Sequence, residues 1–325
     1  MFASHVGDAG TRGSDSKGWA WLTIFEGRSS ALFAVLMGAT VVLMASKASV
    51  PHTRWRLLVR AGMLIALGYA LEFLDTPVDV ILVNLGVMML LSTVALKLPV
   101  KVLGVASAVL VVSGWWITSA LRTTARWADV WDLPVAEKLW SVHYPALAWM
   151  AYVFAGMALE RLALDSTRVQ AVMAGSGAVL AVVAISVGTA LDRYPWASLE
   201  PHSYTAPEVA SNLGLVLVVL AACLWIAPRA RRLLFPMLAT GSMALTAYVL
   251  HIVVIGMAGD HVVWEPKNSF WIALCVVVTL FATGWRAWLG SGPLERWITH
   301  WSTAVANKRA PLAPTPPAHA TAADN

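Results

Sequence analysis

Long apolar runs alternate with short polar connections along most of the chain. Each run is long enough to cross roughly 30 Å of hydrocarbon as an α-helix. Lipid offers no hydrogen-bond partner to free backbone groups, so runs that enter a membrane must be helical. The pattern predicts nine helices, near residues 29–46, 57–74, 78–96, 99–121, 142–164, 169–191, 207–227, 233–257 and 269–289. Gly175 and Gly177, in the sixth of these, are expected to permit close helix packing.

The composition supports a membrane protein. Hydrophobic residues make up 58% of the chain and charged residues 13%, whereas an average soluble domain has roughly 25% charged residues. The expected fold class is an all-α, polytopic transmembrane bundle. Its parts are an extracytoplasmic segment over 1–28, a helical domain over 29–289 and a cytoplasmic tail over 290–325. Cys223 and Cys275 lie inside apolar runs, which predicts neither a disulfide framework nor a metal site.

The basic residues predict the orientation. Alternate connections, counted from the one after the first helix, hold 15 of the 23 basic residues and four of the 18 acidic ones. The positive-inside rule places these connections and the C-terminus in the cytoplasm. The short basic clusters serve as topology signals, so the net charge of +5 does not predict nucleic-acid binding.

With nine spans and the C-terminus inside, the N-terminus is outside. Residues 1–27 contain no signal peptide that would export them. We therefore expect a tenth helix upstream of Met1, the alternative being a short tail that crosses unaided. At the other end, residues from about 308 are rich in proline and alanine, and they predict a disordered tail.

The outer connections carry the candidate chemistry, because they are long and rich in tryptophan and carboxylates. Such residues are typical of an interfacial aromatic belt, but they would also suit a saccharide, and both interpretations stay open. The residues concerned are Trp127, Asp129, Trp131, Asp132, Glu137, Trp140, Asp192, Arg193, Trp196, Glu200, His202, Tyr204, Asp260, His261, Trp264 and Glu265.

Polar residues inside the spans are a sharper signal, because burying them costs free energy unless they are paired or used. His251, in the outer half of the eighth predicted helix, could act as a base or nucleophile, or could be a structural histidine. Arg28, beside Glu26, could stabilise an oxyanion or could form an ordinary surface pair. Weaker outer candidates are Asn84, Glu72, Asp79, His143 and Tyr144.

Two basic clusters lie on the predicted inner side. They consist of Arg54, Arg56 and Arg60, and of Arg229, Arg231 and Arg232. Contacts with anionic lipid headgroups would by themselves explain such basic clusters. The phosphates of coenzyme A would also use them, so lipid and acyl-CoA remain alternatives here.

Several stretches together resemble the bacterial DUF418 membrane proteins. Residues 25–38, with Gly27-Arg28 and Gly38, resemble one signature of that family. Residues 241–251, ending in Tyr248 and His251, resemble a second, and residues 292–297 resemble its C-terminal GPLEW box. Residues 144–152 and 201–203, followed by Gly214, also fit. The resemblance covers nearly the whole chain and is specific as a combination.

These proteins are similar to the catalytic domain of heparan-α-glucosaminide N-acetyltransferase and, more distantly, to other membrane acyltransferases. The resemblance implies transfer of an acyl group from cytoplasmic acyl-CoA to a saccharide across the membrane. It maps the acetyltransferase's helix-eight histidine onto His251. On this resemblance, we expect the family's N-terminal helix to precede Met1, with only His5 left from what looks like its end. Residues 13–21 contain no histidine that could carry the acyl group. Direct transfer with a histidine as general base is therefore expected.

The resulting hypothesis is a multi-pass acyltransferase of the bacterial plasma membrane that uses acetyl-CoA or another acyl-CoA and no metal. His251, His5, Arg28 and Glu26 are the expected catalytic residues, and both arginine clusters bind the acyl-CoA. The expected substrate-binding residues are His143, Tyr144, Trp196, His202, Tyr204, Asn84 and Tyr248. The expected partners are membrane lipids and a glycan or glycolipid acceptor, with a homodimer allowed. The main rival is a transporter or flippase for a lipid-linked or small amphipathic substrate, and a non-catalytic assembly or sensor protein is a third interpretation.

Overall fold

The structure, a computed structural model, describes residues 1–10, 17–125, 138–139 and 143–310. The secondary structure of this part is helical, with short 3-10 helices at Lys17–Phe25 and Pro195–Ala197. The α-helices are α1 (Phe2–Val6), α2 (Arg28–Ala45), α3 (Val50–Glu72), α4 (Leu82–Ser92), α5 (Val100–Ala125), α6 (Ala146–Leu159), α7 (Thr167–Ala190), α8 (Ala206–Arg229), α9 (Phe235–Ser242), α10 (Ala244–Ala258), α11 (His261–Trp264), α12 (Asn268–Leu289) and α13 (Pro293–Arg309). The predicted all-α fold is confirmed, and each predicted helix overlaps at least one observed helix.

The number of membrane crossings stays a prediction. Five helical stretches of the described chain are long and apolar enough to cross, or six if α9 and α10 form one span. The five are Gly18–Ala45, Val100–Thr124, Thr167–Ala190, Ala206–Arg229 and Asn268–Leu289. Helices α4 and α6 have 11 and 14 residues. At about 1.5 Å per residue, both are shorter than the roughly 30 Å hydrocarbon core.

The prediction of one continuous helix over 233–257 was wrong. The chain bends by 81° between helices α9 and α10. The break follows Gly241 and Ser242, and glycine–serine pairs are a common site of sharp helix kinks. As a result α10 begins at Ala244, and His251 lies near the middle of a 15-residue helix.

Small residues bring the central helices together. Helices α2 and α6 cross where Gly38 faces the backbone of Val153, and Gly156 faces the backbone of Val35. A Cβ atom on either glycine would collide with the opposite carbonyl oxygen. Helices α7 and α8 pack in the same way at Gly177. The expectation of close packing is therefore correct for Gly177, whereas Gly175 faces open space within the described part of the chain.

Contacts of charged side chains serve to name the two ends of the bundle. At one end, which we call the arginine end, Arg60 Nη2 donates to Thr299 Oγ1 over 2.7 Å and Arg161 Nη2 donates to the Leu96 carbonyl over 3.0 Å. At the other, the histidine end, Lys138 and Glu72 form an ion pair over 3.2 Å. The assignment of the histidine end to the outer side stays a prediction.

Helix α13 was not predicted, because its sequence mixes charged and apolar residues. It packs along α3, where His52 Nε2 lies 3.0 Å from Asn307 Oδ1. At its start, Glu295 accepts hydrogen bonds from the Thr246 N–H over 2.9 Å and from Thr246 Oγ1 over 2.6 Å. This carboxylate thereby caps the N-terminus of α10. The predicted disordered tail falls mostly on residues 311–325, outside the described residues.

Candidate active site

A polar cavity of about 420 Å³ opens at the histidine end of the bundle. We call it the histidine cavity, and its polar lining includes His5, Glu26, Asp79, His143, Tyr144 and His202. It lies where α4 and α6 begin, and their short length leaves the irregular segments before them to form its walls. Irregular backbone inside a membrane protein is stable only where it is buried in protein or lines a water-filled cavity.

Two histidines meet at the wall of this cavity. His5 Nδ1 lies 2.9 Å from His251 Nε2, and the rings are nearly parallel. His5 lines the cavity, whereas His251 is fully buried behind it. Phe2 and Tyr248 flank the His251 ring, with centroids 4.7 Å and 5.0 Å away.

The position of α1 is fixed by a reciprocal pair of hydrogen bonds. The Asp8 N–H donates to Asn268 Oδ1 and Asn268 Nδ2 donates to the Asp8 carbonyl, both over 2.9 Å. These bonds attach the segment after α1 to the start of α12. They therefore hold His5 against His251.

A hydrogen bond between His5 Nδ1 and His251 Nε2 requires one proton, which one of the two nitrogens carries. If His5 Nδ1–H donates to His251 Nε2, His5 Nε2 is left as an acceptor. Burial lowers the pKa of His5, and the neighbouring His251 lowers it further. A neutral His5 with a free acceptor nitrogen is the form that a general base requires.

A second histidine group lies on the same cavity. His143 Nδ1 is 3.1 Å from Asp79 Oδ2, and the His143 ring stands perpendicular to the His202 ring at 5.7 Å. Burial lowers the pKa of His202 to about 4, with His143 contributing and Asp79 opposing the shift. His202 is therefore uncharged at neutral pH.

The backbone around these side chains is held in an unusual conformation. Among the described residues, four non-glycine residues have positive φ, and three of them are Tyr144 (58°), His202 (65°) and Tyr204 (59°). Left-handed backbone is costly for bulky residues and persists where the surroundings fix it. The Tyr144 N–H donates to the Tyr204 hydroxyl over 3.1 Å, and Asn84 Nδ2 donates to the Tyr144 carbonyl over 2.7 Å.

Glu208 fixes the other half of this backbone and was missed by the sequence analysis. It is only 5% exposed, and its carboxylate accepts the Tyr204 N–H over 2.9 Å and the His202 N–H over 3.3 Å. Asn212 Nδ2 donates to the same carboxylate over 2.9 Å. A carboxylate inside the predicted 207–227 helix was the signal that could have identified it.

Arg28 does not line the histidine cavity. It lines a neighbouring cavity of about 280 Å³ with Glu208 and Asn212, and Glu26 borders both cavities. Arg28 Nη1 donates to the Ile24 carbonyl over 3.1 Å. The structure thus brings Glu26 close to the histidines and directs Arg28 elsewhere.

The remaining outer candidates divide into structural and peripheral residues. The Tyr248 hydroxyl accepts the Ile81 N–H over 3.2 Å, so Tyr248 ties α10 to the start of α4. Trp196 is exposed and stacks on Tyr194 at 5.4 Å. The candidates between 126 and 137, together with Trp140, lie outside the described residues.

The two arginine clusters lie on different helices. Arg54, Arg56 and Arg60 are on α3, and the buried Nε atoms of Arg56 and Arg60 have no hydrogen-bond partner in the described part of the chain. The second cluster is exposed at the end of α8 and just beyond it, where the Arg229 guanidinium lies 4.5 Å from the centre of the Trp225 ring. Guanidinium groups in general suit phosphate ligands, because they offer several N–H donors in one plane. As for metals, no group of three or more His, Cys, Asp or Glu within the described ranges could hold an ion.

Comparison with known proteins gives one match. The family model described as "Heparan-alpha-glucosaminide N-acetyltransferase, catalytic" matches residues 6–194, more than half of the chain. The matched region includes Glu26, Asp79, His143 and Tyr144 but neither member of the His5–His251 pair. No curated protein and no solved structure matches the chain.

Proposed function

The chain belongs to the family of the heparan-alpha-glucosaminide N-acetyltransferase catalytic domain, and we propose that it transfers an acyl group from acyl-CoA to a saccharide or glycolipid. The observation that carries this proposal is the His5–His251 pair at the wall of a polar cavity. A buried, hydrogen-bonded histidine behind an accessible one is an arrangement suited to general base catalysis.

In the proposed reaction, a hydroxyl or amine of the acceptor enters the histidine cavity and donates its proton to His5 Nε2. The acceptor oxygen or nitrogen attacks the thioester carbonyl, and a new C–O or C–N bond forms. The C–S bond then breaks and its electron pair leaves with the sulfur. His5 returns the proton to the CoA thiolate, so that no oxidant, metal or added proton is needed.

The other residues have supporting roles in this proposal. His251 is a positioning residue, because it holds the His5 ring through Nδ1. The carboxylates of Glu26 and Asp79 offer hydrogen-bond acceptors to sugar hydroxyl groups, and the His143 ring offers a further polar contact. Tyr144 and Tyr204 shape the cavity wall. Arg28 does not stabilise the oxyanion in this proposal, because it lines the neighbouring cavity.

The donor would enter from the arginine end. The guanidinium groups of Arg54, Arg56 and Arg60 would bind phosphates of acyl-CoA, and Arg229, Arg231 and Arg232 would add positive charge. The pantetheine arm would pass between helices to the histidine end. In this proposal the arginine end is cytoplasmic, the acceptor is extracytoplasmic, and the protein resides in the bacterial plasma membrane.

The test uses the full chain in lipid nanodiscs with acetyl-CoA and an oligosaccharide that ends in α-glucosaminide. Release of the CoA thiol and acetylation of the sugar by mass spectrometry are measured together. His5→Gln should lower the rate by a factor on the order of 10² to 10⁴, the usual contribution of a general base. His300→Gln, at an exposed histidine of α13, is the matched control and should leave the rate unchanged.

Wild-type transfer by His5→Gln would remove the histidine pair from the reaction. Accumulation of the saccharide in vesicles of the wild-type protein without acyl-CoA, together with no acetylated product, would instead identify a transporter.

A further inference from the structure

A second, apolar cavity of about 340 Å³ lies on the other side of the histidine pair. Its lining includes Phe2, Phe25, Ala244, Ala247, Tyr248 and Trp271. Small residues on α9 and α10 leave this space open. At Gly241, which also lines the cavity, an added Cβ would meet no atom of the described chain within 4 Å.

The two cavities share their walls. Along α1, Phe2 and Ala3 line the apolar cavity, whereas Ser4 and His5 line the histidine cavity. Along the turn before α2, the boundary falls between Phe25 on the apolar side and Glu26 on the polar side. Ser4 Oγ donates to the Phe25 carbonyl over 3.1 Å and joins these two walls.

His251 lies within this partition. The Phe2 and Tyr248 rings flank it, and both of these residues line the apolar cavity. Its Nε2 atom points to His5, which lines the polar cavity. The histidine pair therefore connects an apolar compartment to a polar one across one layer of side chains.

We propose that the apolar cavity binds the acyl chain of a donor longer than acetyl, of roughly six to ten carbons. The inference rests on the proposed function and specifies its donor. With the chain in the apolar cavity, the thioester carbonyl reaches the partition beside His5, where the acceptor approaches from the polar side. An acetyl group has only three non-hydrogen atoms. At about 30 Å³ each, the volume of a water molecule, they would fill less than a third of the cavity's 340 Å³. The bonds broken and formed are those of the transfer described above.

The main competing occupant is the tail of an ordinary membrane lipid. A lipid tail needs only an apolar groove, whereas the donor chain must end at the histidine pair. The occupant is therefore distinguished by its dependence on the CoA thioester and by its effect on chain-length preference.

The first arm of the test measures kcat/KM with acyl-CoA donors of two to twelve carbons in phosphatidylcholine nanodiscs. The wild-type optimum is expected at six to ten carbons, roughly tenfold above acetyl-CoA, because a pocket discriminates by at least that factor for a few methylenes. Gly241→Leu should fill the cavity and move the optimum to shorter chains. Gly284→Leu, on α12 and likewise without a close contact in the described chain, is the matched control and should keep the wild-type profile.

The second arm does not depend on turnover. A photoreactive diazirine analogue of octanoyl-CoA should label residues between Ala244 and Cys275, and unlabelled octanoyl-CoA should compete with it. Labelling at this site without transfer at any chain length would overturn the acyltransferase function while leaving the site intact. An optimum at acetyl-CoA, a chain-length profile that Gly241→Leu does not change, or equal labelling by a photoreactive phosphatidylcholine would overturn the inference.

Discussion

The Nδ1 atom of His5 lies 2.9 Å from the Nε2 atom of His251, although 246 positions separate the two residues in the sequence. The contact joins α1 to the middle of α10. It places one imidazole on a polar cavity and the other in a fully buried position. In the proposed reaction, His5 can therefore touch the substrate, whereas His251 can only orient His5.

Replacement of His251 tests this division of roles. His251→Ala removes the partner of His5 Nδ1, and we expect the rate of acyl transfer to fall by about 100-fold or more. His251→Gln restores an acceptor at that position, and its rate should be roughly tenfold higher than that of His251→Ala. The measurements are kcat, KM and the pH–rate profile, with circular dichroism to verify folding. Equal rates for the two variants would contradict a positioning role.

The pH dependence of stability provides a test of the second histidine group. Burial lowers the pKa of His202 to about 4 from an ordinary value of 6.5, so the unfolded chain binds the proton more tightly than the folded one. The corresponding stability is complete above about pH 6.5 and decreases as the pH falls toward 4. His202→Asn removes the titration and tolerates the positive φ of 65°.

We expect the Tm of the wild type to fall more steeply between pH 7 and pH 4.5 than that of His202→Asn, measured by differential scanning fluorimetry. Parallel curves would mean that the charge on His202, which faces His143 and Asp79, does not couple to folding.

The proposed binding of the donor phosphates at the arginine end can be tested through the KM for acyl-CoA. Arg56→Gln should raise the KM for acyl-CoA by roughly tenfold or more, because a hydrogen bond to a charged group contributes about 1.5–3 kcal/mol. The KM for the matching acyl-pantetheine, which lacks the nucleotide phosphates, should not change. Arg286→Gln, an exposed basic residue in the last turn of α12, is the control. If Arg56→Gln leaves both KM values unchanged, Arg56 contacts lipid headgroups and not the donor.

The close crossing of α2 and α6 can be tested through the stability of glycine variants. Gly156→Ala should lower the free energy of unfolding by about 1–3 kcal/mol, because the new methyl group collides with the Val35 carbonyl oxygen. Gly175→Ala, which meets open space among the described residues, should be neutral or slightly stabilising. Both are measured by thermal denaturation in the same detergent. Equal stability of the two variants would be incompatible with the observed crossing.

Much of the scaffold could be predicted from the sequence. Apolar runs identify helices because lipid forces backbone hydrogen bonds to close within each segment. His143, Tyr144 and His202 could be selected because polar and aromatic residues near span ends are frequently used. The observed helix α3 begins at Val50, well before the predicted start at 57, because Ser49 caps it and Pro51 suits its first turn.

The contacts within the site could not be predicted to the same extent. No spacing rule pairs residue 5 with residue 251, because their contact depends on how α1 packs beside α11 and α12. Arg28 is only two positions from Glu26 in the sequence, yet the helix start turns its side chain toward another cavity. Helix α13 was overlooked, because a helix that packs on a protein surface needs fewer apolar residues than one that crosses lipid.

The cap that Glu295 provides for α10 makes the position of the histidine pair depend on the C-terminal helix. Thr246 lies five residues before His251 on the same helix, and its backbone and hydroxyl groups are both held by α13. A shortened protein that ends before Pro293 would still contain every residue lining both cavities, yet it would release the start of α10. Such a truncation should therefore misalign the histidines without touching them, and fusion partners or tags are better placed beyond Arg309 than within this helix.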